Sequence, residues 1–238
     1  MANGIYTAMA GAVAQSDALD VTANNVANAS TTGFRAERVS FDETLTRATG
    51  KSMVMVAASG KGTDTKAGTI QQTGNPLDVA LDGDAWFSVD TPNGVRYTRA
   101  GNFRTDAEGM LVNADGLHVR GEGGGGIQIP PGTANVAIGG DGTIEADGVI
   151  IGKLELARFA DGTLKREGDT LFSARGGSLE VGPDVQVVAG AIEGANFDVV
   201  RGVVDLIKVS RTYEALHRAI ETYKDIDSRT ARDVGGPQ

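Results

Sequence analysis

At 238 residues, with 34 glycines and 5% aromatic residues, the chain has room for one large or two small domains with many turns and a modest core. A net charge of −9 argues against nucleic-acid or anionic-membrane partners, and the absence of cysteine excludes disulfides, thiolate metal sites and a cysteine nucleophile. No run of eighteen apolar residues occurs, so no membrane insertion is expected, and the N-terminus lacks the basic and apolar regions of a cleavable signal.

The first segment, 1–34, is predicted to be helical. Ile5, Met9, Ala12, Ser16, Leu19, Ala23 and Val26 alternate four- and three-residue steps, the pattern of a helix packing along one seam against other helices. Ala and Ser at several of these positions bury little surface, so such a helix is marginal alone and is completed by partners. It should end between Asn28 and Thr32, because Asn24, Asn25 and Asn28 are poor interior residues and Gly33 can close the last turn. Phe34 follows as an apolar anchor. The asparagines have two readings: ordinary helix termination, or amides that bond neighbouring subunits in a packed helical layer.

Residues 35–75 are rich in Thr, Ser, Gly and Lys, with one short β-type run at 53–56. Such a length without strong periodicity is unusual for a plain loop, and an extended arm with one hairpin is expected. From 76 to 190 the pattern is β. Leu77, Val79 and Leu81 alternate with Asp78 and Ala80, and further short runs lie at 85–89, 95–98, 110–112, 127–129, 136–138, 154–159 and 185–188. Asp82-Gly83, Asn93-Gly94, Asp115-Gly116, Asp141-Gly142, Asp147-Gly148 and Asp161-Gly162 separate them as tight-turn signals. An antiparallel β domain with its own core follows.

The last segment, 191–238, returns to helical periodicity. Val199, Val203, Leu206, Val209, Tyr213, Leu216, Ile220, Tyr223 and Ile226 form one stripe. This helix carries Arg201, Lys208, Arg211, Arg218, Lys224 and Arg229, whereas no Lys or Arg precedes Arg35. The two end helices can therefore pair, chiefly through apolar burial, with exposed charges adding about 0.2–1 kcal/mol per contact. The expected fold class is α+β: terminal helices packing as a coiled-coil-like layer, flanking an extended arm and an inserted antiparallel β domain.

Motifs for chemistry fail one by one. The glycines of 121–126 have dinucleotide-loop spacing, but Ile127-Gln128-Ile129-Pro130-Pro131 cannot be the helix that motif needs. Gly50-Lys51-Ser52 ends like a phosphate loop, yet Leu45 occupies the place of its first glycine. Asp82-Gly83-Asp84 lacks the rest of a calcium loop. His118 and His217 are the two histidines, on different predicted elements, and no nucleophile elbow occurs. No cofactor, metal or catalytic residue is expected, and the chain does not read as an enzyme.

Three blocks together resemble the flagellar rod and hook family of bacterial axial proteins. The first is Ala23-Asn24-Asn25-Val26-Ala27-Asn28 followed by Thr32-Gly33-Phe34-Arg35. The second is Pro76-Leu77-Asp78-Val79-Ala80-Leu81-Asp82-Gly83-Asp84, continuing to Tyr97-Thr98-Arg99-Ala100-Gly101-Asn102-Phe103 and Gly109-Met110-Leu111-Val112. The third is Glu193-Gly194-Ala195-Asn196, with Arg211-Thr212-Tyr213-Glu214-Ala215 beyond it. Ile5-Tyr6-Thr7-Ala8-Met9, Asp141-Gly142-Thr143-Ile144 and 164–172 are more similar to proximal-rod than to distal-rod members. Val26 and Ala195 stand where the family more often has Leu and Ser, and Ala85-Trp86 replaces a usual Gly-Phe.

The resemblance implies a structural subunit of the flagellar basal-body rod, exported through the flagellar type III apparatus without a cleaved signal. It implies partnership with other rod proteins in a helical axial assembly that crosses the periplasm and transmits torque. The expected assembly contacts are Ile5, Met9, Leu19, Val26 and Phe34, facing Val203, Leu206, Tyr213 and Ile220, with Asn24, Asn25 and Asn28 fixing register. The alternatives are a distal-rod subunit, or a soluble β-domain binding module with a ligand cleft near Trp86 or Tyr97.

Overall fold

Two long helices bracket a chain that is otherwise antiparallel β, which gives the α+β class. The computed structural model describes residues 2–48, 51–160 and 162–234. Gly50 and Asp161, and with them part of the phosphate-loop comparison and one expected turn, lie outside the described residues.

The chain divides into two compact units that cut across the four segments expected from the sequence. The first unit collects 1–27, 36–64 and 197–238. Helix α1 spans Ala2–Ala27 and helix α2 spans Val199–Val234. Asp198 caps α2: its Oδ1 accepts from the N–H of Val200 (2.9 Å) and of Arg201 (3.2 Å), two of the donors a helix start leaves open. Between the helices in sequence, strands β1 (Glu37–Ala48) and β2 (Lys51–Thr63) form one antiparallel hairpin, paired from Glu37↔Thr63 to Ala48↔Lys51 with a bulge between Ser40 and Phe41. At about 3.3 Å per residue it is about 40 Å long. The expected arm is thus regular ladder over most of its length.

The second unit comprises Asn28–Arg35 and Thr65–Asn196. Its largest sheet has five antiparallel strands, in the order 156–157, 86–91, 94–98, 171–174, 164–166. Three strands at 136–138, 143–146 and 149–153 form a meander, and four two-stranded pairs complete the unit, among them 79–82 with 186–189 and 70–72 with 191–193. The expected turn dipeptides at 82–83, 93–94, 115–116, 141–142 and 147–148 are in place: their glycines all have positive φ, as does Gly162. At Asp147-Gly148 both residues do (50° and 80°), the conformation that joins the two strands with a matching twist.

Burial departs from the expected alternation. Strand 79–82 hides Val79, Ala80 and Leu81 alike, and strand 86–91 hides Trp86, Phe87, Ser88 and Val89. The sheet is covered on both faces. Phe87 meets Phe103 edge-on (5.0 Å) in a core with Val79, Leu111 and Ile144, while Trp86 packs on Phe172 (4.8 Å) in a second core with Ala157 and Phe159. The glycines of 121–126 make a tight hairpin, with Gly125 and Gly126 paired to Gly121 and Arg120.

Candidate assembly interface

The helices of the first unit pack against each other through small residues. Ala8, Ala12 and Ile220 are buried together, with Ile5, Tyr213 and Leu216 packed around them. A Cβ added to Gly4 would lie 3.1 Å from the Tyr223 ring, one added to Gly11 3.5 Å from Leu216, and one added to Gly202 3.0 Å from Val26. These contacts run in step along the two helices, so α1 and α2 are antiparallel. Gly202, Leu206, Val209, Tyr213, Leu216 and Ile220 follow four–three spacing along the covered face of α2.

Helix α1 has two covered faces where the sequence predicted one seam. Gly4, Ala8, Gly11, Ala12 and Val26 make the α2 face. Ala14, Ala18, Val21 and Asn25 form a second buried stripe at helical spacing, and α1 also contacts both hairpin strands. Asn25 in this stripe (5% exposed) pairs with the backbone of Glu37: its Nδ2 donates to the Glu37 carbonyl, and its Oδ1 accepts from the Glu37 N–H, both at 2.8 Å. The side-chain amide extends the hairpin ladder by one rung, made by the helix.

The expected interface residues therefore separate. Ile5, Leu19, Val26, Leu206, Tyr213 and Ile220 lie half-buried or buried in the first unit, and Tyr213 stacks edge-on against His217 at 4.7 Å. Met9 and Val203 are off the helix–helix seam, 48% and 41% exposed, because the close approach of the helices selects the small residues beside them. Asn24 is on the outer face of α1. Asn28 and Phe34 belong to the second unit: Asn28 accepts from the N–H (2.9 Å) and hydroxyl (3.1 Å) of Thr31 in the turn after α1, and Phe34 is fully buried with the Arg166 guanidinium 4.9 Å over its ring. The glycines at 4, 11 and 202 were missed because periodicity was read from large apolar residues. Their own spacing was the available signal.

What the seam leaves over is apolar. On α1, Tyr6, Met9 and Val13 are exposed at i, i+3, i+7; on α2, Val200, Val203, Val204 and Ile207 are exposed at i, i+3, i+4, i+7. The antiparallel pairing puts these two stripes toward opposite ends of the helix pair. A groove of about 510 Å³ also opens beside the seam, lined by Gly4, Thr7, Ala8, Leu216, Ala219 and Tyr223. Contiguous apolar faces of this kind mark surfaces that meet another protein.

Nothing comparable for catalysis emerges. His118 Nε2 sits 3.6 Å from Asp106 Oδ2, and His217 is on α2. Among the described residues no group of side chains could hold a metal ion, and no helix is long and apolar enough to cross a membrane. Trp86, where the binding-module alternative needs a cleft, is 4% exposed.

Three family descriptions match the chain in order: "Flagella basal body rod protein" over 5–35, "Flagellar hook protein FlgE/F/G D1 domain" over 80–146, and "Flagellar basal body rod FlgEFG protein C-terminal" over 188–233. Among curated relatives, the flagellar basal-body rod protein FlgF of Rhizobium meliloti is 34% identical, covering 93% of this chain and 98% of its own. FlgF of Escherichia coli K12 is 35% identical over 94% and 95%, and the rod protein FlgG of Bacillus subtilis is 32% identical over 95% and 97%.

Proposed function

The chain belongs to the family of flagellar basal-body rod proteins, a structural and non-enzymatic family, and from that premise we propose that it is a rod subunit of the proximal segment. It leaves the cell through the flagellar type III export apparatus and assembles with other rod proteins into the axial shaft that carries torque. The observation that carries this reading is the pair of exposed apolar stripes, Tyr6–Met9–Val13 and Val200–Val203–Val204–Ile207, at opposite ends of one antiparallel helix pair. A subunit with different sticky surfaces at its two ends joins head to tail and leaves a growing end open. The helices of the first unit supply the coiled-coil-like layer and its hairpin the arm, and 28–35 with 65–196 form the β domain. Ile5, Leu19, Leu206, Tyr213 and Ile220 hold the pair together, and Met9 and Val203 face the neighbouring subunit.

An in-frame deletion, imaged by electron cryotomography of the cell envelope, tests the reading. Basal bodies without rod and hook, restored by the full-length gene, are expected; intact rotating flagella in the deletion strain, with no second copy of the gene, refute it. The similarity to FlgG over nearly the whole chain keeps a distal-rod role as the second reading. The height at which assembly stops separates the two. The terminal helices are expected to order on assembly, so strong amide protection over 5–26 and 199–226 in the purified monomer counts against that part.

A further inference from the structure

We propose that Glu193 is the anchor of a buried charge clasp that locks three passages of the chain in register, and that in the assembled rod this clasp is the stiff coupling through which load enters the β unit. The second half rests on the rod reading above; the first does not. Covalent connectivity requires that any force passed along the chain between the two compact units crosses at 27/28, 35/36, 64/65 or 196/197. Residues 28–35, 65–72 and 191–196, the parts of the second unit next to those crossings, converge on one carboxylate.

Glu193 Oε1 accepts from the N–H of Gly68 (2.7 Å) and lies 2.6 Å from Arg35 Nη1, while Oε2 lies 2.9 Å from Arg99 Nε. Its own carbonyl accepts from the Gly33 N–H (2.7 Å), and the next residue closes the ladder, Gly194 N–H to Thr69 carbonyl at 2.9 Å. Arg35 and Glu193 are fully buried and Arg99 is 3% exposed. Both guanidinium groups lie over the Trp86 ring, Arg35 at 5.8 Å and Arg99 at 5.9 Å from its centroid, and Arg99 also donates to the Ala85 (2.6 Å) and Gly83 (3.0 Å) carbonyls. The backbones approach so closely that a side chain at Gly33 would strike the Ala100 backbone and one at Gly68 the Gly194 carbonyl.

Two buried guanidinium groups share one buried carboxylate, a set that no exposed pair can replace. Buried ion pairs seldom stabilise more than well-packed apolar residues would; what they do is fix geometry, since every other register leaves a charge unpaired. The shaft of a motor needs that property more than extra stability. Glutamine at 193 keeps the shape and still presents an acceptor to the Gly68 N–H, but it removes the charge that both guanidinium groups lie against.

The test uses the full-length chain. Residue-resolved amide exchange on the Glu193→Gln variant is expected to accelerate at least tenfold at Gly33, Gly68 and Gly194, with Phe87, Val89 and Val187 unchanged. In the complemented deletion strain the variant is expected to build hook–basal bodies in normal number and swim normally in dilute medium, but to lose more than half its speed in viscous medium. Unchanged exchange at Gly33 and Gly68, or acceleration spread evenly through the core strands, overturns the clasp. Equal speed at both viscosities, or fewer basal bodies with no dependence on load, overturns its mechanical role. If the glutamine variant does not fold, Glu193→Asp keeps the charge but shortens its reach by one methylene, and the same readouts apply. Failure of the wild-type gene to restore flagella would refute the rod reading and leave the exchange result standing.

Discussion

The two units of this chain bury themselves in different ways. The β unit completes its core from its own residues: Val79, Phe87, Val89 and Ile144 are wholly enclosed, and aromatic pairs fill both faces of its main sheet. The helical unit buries mainly small side chains, Ala8, Ala12, Ala14 and Ala18 beside Val21 and Ile220, and leaves Tyr6, Val13, Val200 and Ile207 in water. A buried alanine contributes a fraction of what a buried phenylalanine does. Helix α2 is about 54 Å long, and its residues 221–230 are exposed throughout. One unit is a finished domain. The other leaves apolar helix surface exposed.

Five measurements can break or sharpen that contrast. The largest effect is expected at Phe87→Ala, which removes a ring from the closed core and should cost about 3–5 kcal/mol in urea unfolding of the β unit. A loss under about 1 kcal/mol would mean that this unit, too, depends on partners. Next comes Asn25→Ala. In the assembled rod, where α1 is ordered, it orphans both backbone groups of Glu37 and should cost about 1–3 kcal/mol, read as faster exchange at Glu37 and along the hairpin while β-unit amides stay protected. Val204→Asp should leave stability within about 0.5 kcal/mol of wild type yet abolish rod assembly in cells; normal rods would remove this stripe from the interface. A charge at Leu206 should also abolish assembly with the β unit still folded.

The smallest effect is one of pH. Hydrogen bonds from Arg96 and then Ser173 hold the Glu167 carboxyl below the ordinary glutamate range, and hydrogen bonds from Thr143 do the same for Asp141. Because the folded-state values are depressed, their stabilisation is present above the ordinary carboxylate pKa and disappears as pH falls through the folded values. Both groups are exposed, so the change is small and screened by salt. Glu167→Gln should lower the neutral plateau of the β-unit stability curve slightly and leave its acid end unchanged, so that the acid limb flattens.

Much of this was legible in the residues. Each Asp-Gly or Asn-Gly dipeptide names its own backbone conformation, because a residue with positive φ is costly unless it is glycine or a small polar side chain, so the turns appeared without tertiary information. The helices were legible from periodicity and the α2 seam from its four–three steps. The α1 seam was not, since burial there follows how closely a neighbour approaches, and the alanines and glycines that permit approach carry little hydrophobic signal. One hairpin in an extended arm is legible at 37–63, but its length is not, because Thr, Ser and Gly hide a ladder made by the backbone. Met9 and Val203, expected as assembly contacts, are exposed on the single chain.

The sequence by itself determined where the chain turns, which parts are helix and which are β, and which family the blocks belong to. These are local properties: backbone preference, periodicity and residue type act within a few positions of one another. The tertiary structure alone decided that Trp86 and Phe87 serve separate cores, that α1 has two covered faces, that Asn25 bonds within the chain, and that Arg35, Arg99 and Glu193 meet. Residues far apart in the chain come together only when loops close and layers stack, and the free energy that selects those pairings belongs to the packed whole rather than to any segment.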